Sequence, residues 1–131
     1  MTMKLTLTIT STIGCILAMA FYLIPEFVTL QQFPDAEGQG LKDLITLRYA
    51  LGSLIACIVI ITFQLRNVEG KDAQKSIILG YGIGFLVISI TNLILQLSGK
   101  ISAIPPIVAT ALIALLSLYT YWSINNLDEG K

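Results

Sequence analysis

The residue with the most chemical consequence in this 131-residue chain is Arg48, the only charged residue in the apolar stretch 44–65. A cation held in hydrocarbon costs about 2.5–3.5 kcal/mol on insertion scales. At 1.5 Å of rise per residue, Arg48 lies roughly 6 Å inside Leu44. Two arrangements lower the cost. The side chain can snorkel, laying its stem along apolar surface and its head among lipid headgroups. Alternatively, it can find a partner. Glu26 follows the preceding apolar stretch, and Asn92 and Gln96 sit near the end of a later one at similar depth. A guanidinium binds a carboxylate through two parallel hydrogen bonds, which lysine cannot match. Glu26, Arg48, Asn92 and Gln96 are therefore the candidate polar cluster, with snorkelling as the open alternative.

The remaining side chains offer little for catalysis. Histidine is absent, which removes imidazole-ligated haem, most catalytic zinc sites and any His-based triad or proton relay. Cys15 and Cys57 both lie in apolar runs without a C-x-x-C motif, and read as small buried apolar residues. Glu26 is the carboxylate read as near-embedded, and one carboxylate is not an acid/base pair. Gly80-Tyr81-Gly82-Ile83-Gly84 lacks the G-x-G-x-x-G spacing and follows no strand, so it is no nucleotide loop. No stretch carries a filter-like repeat of charges or carbonyls. The expectation is a protein that is not an enzyme, with no cofactor and no metal site.

The elements that hold these residues follow from composition. Hydrophobic residues make up 55% of the chain and charged residues 12%, with a mean hydropathy of +0.81. Soluble domains average about 25% charged residues, so this chain could not cover a soluble surface. Eight basic residues balance eight acidic ones, and nucleic acid is not an expected partner. A membrane-spanning helix needs about 20 predominantly apolar residues. Four stretches qualify: residues 5–24, 44–65, 76–97 and 106–124. The fold class is all-α, a polytopic four-transmembrane-helix bundle forming one membrane domain over residues 1–131.

Local signals refine this picture. Residues 4–12 alternate apolar residues with threonine or serine, a strand pattern. The apolar run continues to Ile24, however, and an isolated strand in lipid leaves its backbone unpaired. Threonine hydroxyls on a helix can instead bond carbonyls one turn back. The same segment resembles a cleavable signal, with Lys4, an apolar run and Ala18-Met19-Ala20, and we expect it to be retained as the first span. Asp43 is a candidate cap for the second span, Gly99 a stop for the third, and Pro105-Pro106 an opening for the fourth. Residues 25–33 place Phe27, Leu30 and Phe33 near one face, which predicts a short interfacial helix halted by Pro34.

Small and polar residues recur at a spacing of four in three spans: Thr10, Gly14 and Ala18; Arg48, Gly52 and Ala56; Ser76, Gly80 and Gly84. Lipid supplies no hydrophobic drive between helices, so small residues at contacts carry more of the packing. Such rows drift about 40° per step and form inclined ridges. Gly14, Gly52, Gly80 and Gly84 are the expected packing glycines. For orientation, Lys4, Arg66, Lys71, Lys75 and Lys131 share the side of the termini, against Lys42, Lys100 and Arg48 opposite. That bias predicts cytoplasmic termini, with Tyr119, Tyr121 and Trp122 at the cytoplasmic interface.

Pro25-Glu26-Phe27 after the first span, Leu47-Arg48 with Gly52 in the second, Arg66-Asn67 after it, and the terminal Tyr/Trp group together resemble a group of small, poorly characterised bacterial four-helix integral membrane proteins. The resemblance covers most of the chain. It implies a four-helix fold in the cell (inner) membrane and carries no activity, substrate or cofactor. Two functions remain open. One is a structural or accessory subunit in the lipid bilayer that packs with itself, as a homo-oligomer, or with a larger membrane complex. The alternative is a binding protein or carrier for a small lipophilic molecule, anchored at the polar cluster.

Overall fold

The structure, a computed structural model, describes residues 2–129. It contains five helices: α1 (Met3–Leu23), α2 (Pro25–Gln32), α3 (Gly38–Leu65), α4 (Lys71–Leu97) and α5 (Ile104–Glu129). No strand occurs among the described residues. Helices α1, α3, α4 and α5 are each long and apolar enough to cross a membrane. The chain is a multi-pass membrane protein of the all-α class. The fourfold passage leaves the two ends of the described chain and the α3–α4 turn at one end of the bundle, here the terminal end. The α2 segment and the α4–α5 loop form the opposite, distal end. Lys131, counted above for orientation, lies outside the described residues.

Local chemistry explains the helix ends. The threonines of α1 return their hydroxyls to the backbone: Thr8 to the Lys4 carbonyl at 2.7 Å and Thr12 to that of Thr8 at 2.9 Å. Thr8 and Thr12 are thereby satisfied within a helix, where a strand would need a partner; the buried Thr10 hydroxyl has no partner among the described residues. Gly99 ends α4 with φ +69°, in the left-handed region where an L side chain is strained. The Lys100 amide then reaches the Leu95 carbonyl at 3.2 Å, and the Gly99 amide that of Gln96 at 3.1 Å. This is a Schellman stop. Several expected boundaries shift, with α5 running over Ile104–Glu129 rather than 106–124. Helix α3 begins at Gly38, ahead of the apolar run, and α4 begins at Lys71. Asp43 is consequently no cap: it lies inside α3 and accepts from Gln39 Nε2 at 2.8 Å. An apolar run marks where lipid begins and ends, whereas the helix continues as long as its backbone bonds persist.

The four long helices pack as two antiparallel pairs. Helix α1 lies along α3, and α4 lies along α5, while a lighter α1–α5 contact joins the pairs. The α1–α3 pair is close at Gly14, where a Cβ would stand 2.6 Å from Val59 Cγ2, and at Gly52, which faces Phe21 and Tyr22. The α4–α5 pair is close at Gly82, where a Cβ would meet Leu118 Cδ2 at 2.8 Å. Between the pairs, the Thr6 and Thr120 hydroxyls, both buried, share a hydrogen bond of 2.7 Å. Met3, Leu7, Ile78 and Ile124 form a buried cluster at the terminal end, ringed by Leu65, Val68, Ile77, Tyr81 and Tyr121. Helices α3 and α4 are consecutive but do not pack along their length. They meet near their turn, where Thr62 and Tyr81 hydrogen-bond.

Gly80 and Gly84 depart from expectation. A Cβ at either would meet nothing within 4 Å, so neither brings helices together within this chain. The close approach is made by Gly82, on the other side of α4. Gly80 and Gly84 share an inclined ridge, but α5 docks on the opposite face. Cys15 and Cys57 are also exposed. A layer of two helix pairs turns most side chains outward, and in a bilayer these are apolar positions facing lipid.

Candidate functional site

Helix α2 begins with Pro25, whose missing amide costs nothing at a first turn, and runs to Gln32. Spacing of three or four places Thr29 and Gln32 on one face, toward α3, while Phe27 and Glu26 are exposed. Thr29 is fully buried and its hydroxyl donates to the Pro25 carbonyl at 2.8 Å, which leaves its lone pairs available.

Arg48 points into this face from α3 and is 6% exposed. Its Nε donates to Thr29 Oγ1 at 3.3 Å and its Nη2 to Gln32 Oε1 at 2.5 Å. The guanidinium carbon lies 5.1 Å from the centroid of the Phe21 ring and 5.9 Å from that of Phe33. Such cation–π contacts contribute about 0.5–2 kcal/mol each, more as the cation is desolvated. All the partners are neutral. Among the described residues, no carboxylate oxygen comes within 4.0 Å of Arg48. Among the described residues Nη1 has no hydrogen-bond partner, and it is not among the fully sealed polar atoms.

The expected cluster is thus rearranged. Glu26 is exposed on α2 and makes no ion pair with Arg48; Thr29 and Gln32, further along α2, take the guanidinium instead. Asn92 folds back onto its own helix, donating to the Ile88 carbonyl at 3.0 Å. Gln96 stays at the distal end, where its Oε1 accepts the Ala103 amide. Arg48 itself does not snorkel, since α2 covers its head. The partners that sequence reading missed are Thr29, Gln32, Phe21 and Phe33. The Thr29–Gln32 spacing on a short helix was the available signal. The apolar Phe27–Leu30–Phe33 row of the same segment points to a membrane surface and masks it.

A pocket of about 450 Å³ lies beside this arrangement, between residues 32–36 and the α4–α5 loop at 99–102, with Leu44 and Gln96 also in its wall. Gln32 and Phe33, which hold Arg48, belong to that wall. The Ser102 amide donates to the Gln32 carbonyl at 2.9 Å and ties the two helix pairs together here. Asp35 and Lys100 both line the pocket without forming an ion pair. The arrangement can bind a polar or charged group. Among the described residues, no three His, Cys, Asp or Glu side chains gather as metal ligands would.

A second concavity, about 410 Å³, runs between α3 and α4 near the terminal end. Ile58 and Leu65 form one wall, and Ser76, Gly80, Gly84 and Ile88 the other. The row of small residues expected to pack therefore lines an open apolar groove. Comparison with protein-family models, with curated proteins and with solved structures finds no match.

Proposed function

We propose that the protein is a non-enzymatic accessory subunit of the cell membrane, with both termini cytoplasmic, that accepts a transmembrane helix into the α3–α4 groove. That helix belongs to a second copy or to a larger membrane complex. The observation that carries this reading is the pair of uncovered glycines. Gly80 and Gly84 give α4 a ridge without side chains, at the spacing that lets helix backbones approach in lipid, and none of the described residues occupies it. Ile58, Leu65 and Ile88 flank the ridge, which suits an apolar helix with a small-residue seam of its own. The likeness to small bacterial four-helix membrane proteins, through Pro25-Glu26-Phe27 and the Leu47-Arg48 pattern, agrees with a role without chemistry.

The test is the mass of the particle in mild detergent. Wild type should migrate as a complex, a homo-oligomer or a stoichiometric assembly with another membrane protein. Gly84→Leu should dissociate it while leaving the single chain's thermal stability unchanged, because the new side chain meets open space. A wild-type particle that is monomeric in native-like nanodiscs would defeat the proposal. Orientation has its own readout. Cysteine introduced at Gln39 should react with an impermeant reagent in intact cells, and one at Gly70 should be protected; the reverse pattern contradicts cytoplasmic termini.

A further inference from the structure

The distal pocket has a charge layout that the helix-accepting groove does not explain. Two charged residues line it, and a third lies behind Gln32 and Phe33 of its wall. That third is Arg48, a cation 6% exposed that is met only by neutral oxygens and aromatic rings. A cation so desolvated and without a counter-charge attracts an anion strongly, because little water competes for it. The first lining residue is Lys100, an exposed cation in the pocket wall. The second is Asp35, an exposed anion in the same wall that does not pair with Lys100. Opposite charges that share a cavity without touching leave room for a ligand bearing both signs. The pocket lies at the distal end of the long apolar helices, beside α2, and the ends of membrane spans lie near the headgroups.

We infer that the distal pocket binds the headgroup of a zwitterionic phospholipid, with its phosphodiester toward Lys100 and Arg48 and its ammonium toward Asp35. The phosphodiester carries one negative charge and offers acceptor oxygens to Lys100 Nζ. Arg48 acts from behind Gln32 and Phe33. Its unpartnered Nη1 supplies field, or a direct bond if the Gln32 side chain swings aside. Asp35 serves the ammonium and opposes a second negative charge, which disfavours purely anionic headgroups. The acyl chains run down the outer surface beside Leu44 toward the exposed apolar flank of the bundle.

The experiment is native mass spectrometry of the purified full chain in mild detergent, with dioctanoyl phosphatidylethanolamine, dioctanoyl phosphatidylglycerol and dioctanoylglycerol as probes. A one-to-one adduct should form best with phosphatidylethanolamine, less with phosphatidylglycerol and least with the headgroup-free dioctanoylglycerol. Asp35→Asn should erase the preference for phosphatidylethanolamine over phosphatidylglycerol, a change of about two- to fivefold for one exposed charge. Lys100→Gln should weaken both phospholipids by a similar factor and leave dioctanoylglycerol unaffected. Both positions are exposed, so folding is preserved. Soluble phosphoethanolamine should compete poorly. Equal retention of dioctanoylglycerol, indifference to both Asp35→Asn and Lys100→Gln, or full displacement by phosphoethanolamine at equal concentration would each overturn the assignment.

Discussion

Adding one methyl group at Gly14 should destabilise the protein, whereas the same addition at Gly84 should not. At Gly14 the new Cβ would stand 2.6 Å from Val59 Cγ2, about an ångström inside the usual carbon–carbon contact of 3.5–4.0 Å. Val59 is β-branched, and on a helix its χ1 has essentially one rotamer, so the methyl cannot swing away. Relief must come from α1 and α3 moving apart, and overpacking of this kind costs about 1–3 kcal/mol. Replacing glycine by alanine inside a helix returns about 1 kcal/mol of propensity. Gly14→Ala should therefore lose about 0–2 kcal/mol net, and Gly84→Ala, with nothing within 4 Å, should gain up to about 1 kcal/mol. The assay is unfolding in mixed micelles with increasing denaturing detergent. The decisive control is Gly14→Ala with Val59→Ala, which should be more stable than the sum of the single changes by about 1 kcal/mol or more, as contacting residues couple. Strict additivity, or a Gly14→Ala variant as stable as Gly84→Ala, would refute the α1–α3 packing.

Further outcomes concern the polar contacts. In a double-mutant cycle, Arg48→Met and Gln32→Ala should couple by about 1.5–3 kcal/mol, the range for a hydrogen bond to a charged group, while Arg48→Met and Glu26→Gln should couple by close to zero; the opposite ranking would restore the Glu26 pairing. Thr6→Val with Thr120→Val should reveal a coupling of about 0.6 kcal/mol, the average measured for hydrogen bonds between membrane helices, since their hydroxyls lie 2.7 Å apart. A zero value in the same unfolding assay would mean that the two helix pairs are not joined there.

The sequence announces the helices and conceals their neighbours. Apolar runs locate all four spans because length against bilayer thickness is a strong constraint, and Gly99 marks its stop because its φ is one that only glycine takes easily. The face each helix presents is far less legible. In water an apolar stripe points to the core, but in lipid both the packed face of Gly82 and the open face of Gly80 and Gly84 are small and apolar. Only the position of α5 distinguishes them. The same holds for Arg48. Its need for partners is plain from its place in an apolar run, but Thr29 and Gln32 are ordinary residues that become partners only when α2 folds back over α3. Glu26, the more obvious choice by charge, stays exposed at the start of that helix.

The central claim, that a helix from outside the chain fills the α3–α4 groove, is tested most directly by photo-crosslinking in intact membranes. A photoreactive residue placed at Gly84 should join the protein to one defined polypeptide, a second copy or a single partner, through a transmembrane segment identified by mass spectrometry. The same residue placed at Ile90, exposed on the outward side of α4, should yield lipid adducts. Lipid adducts alone at both positions would contradict the claim and leave the groove as a face covered by the bilayer.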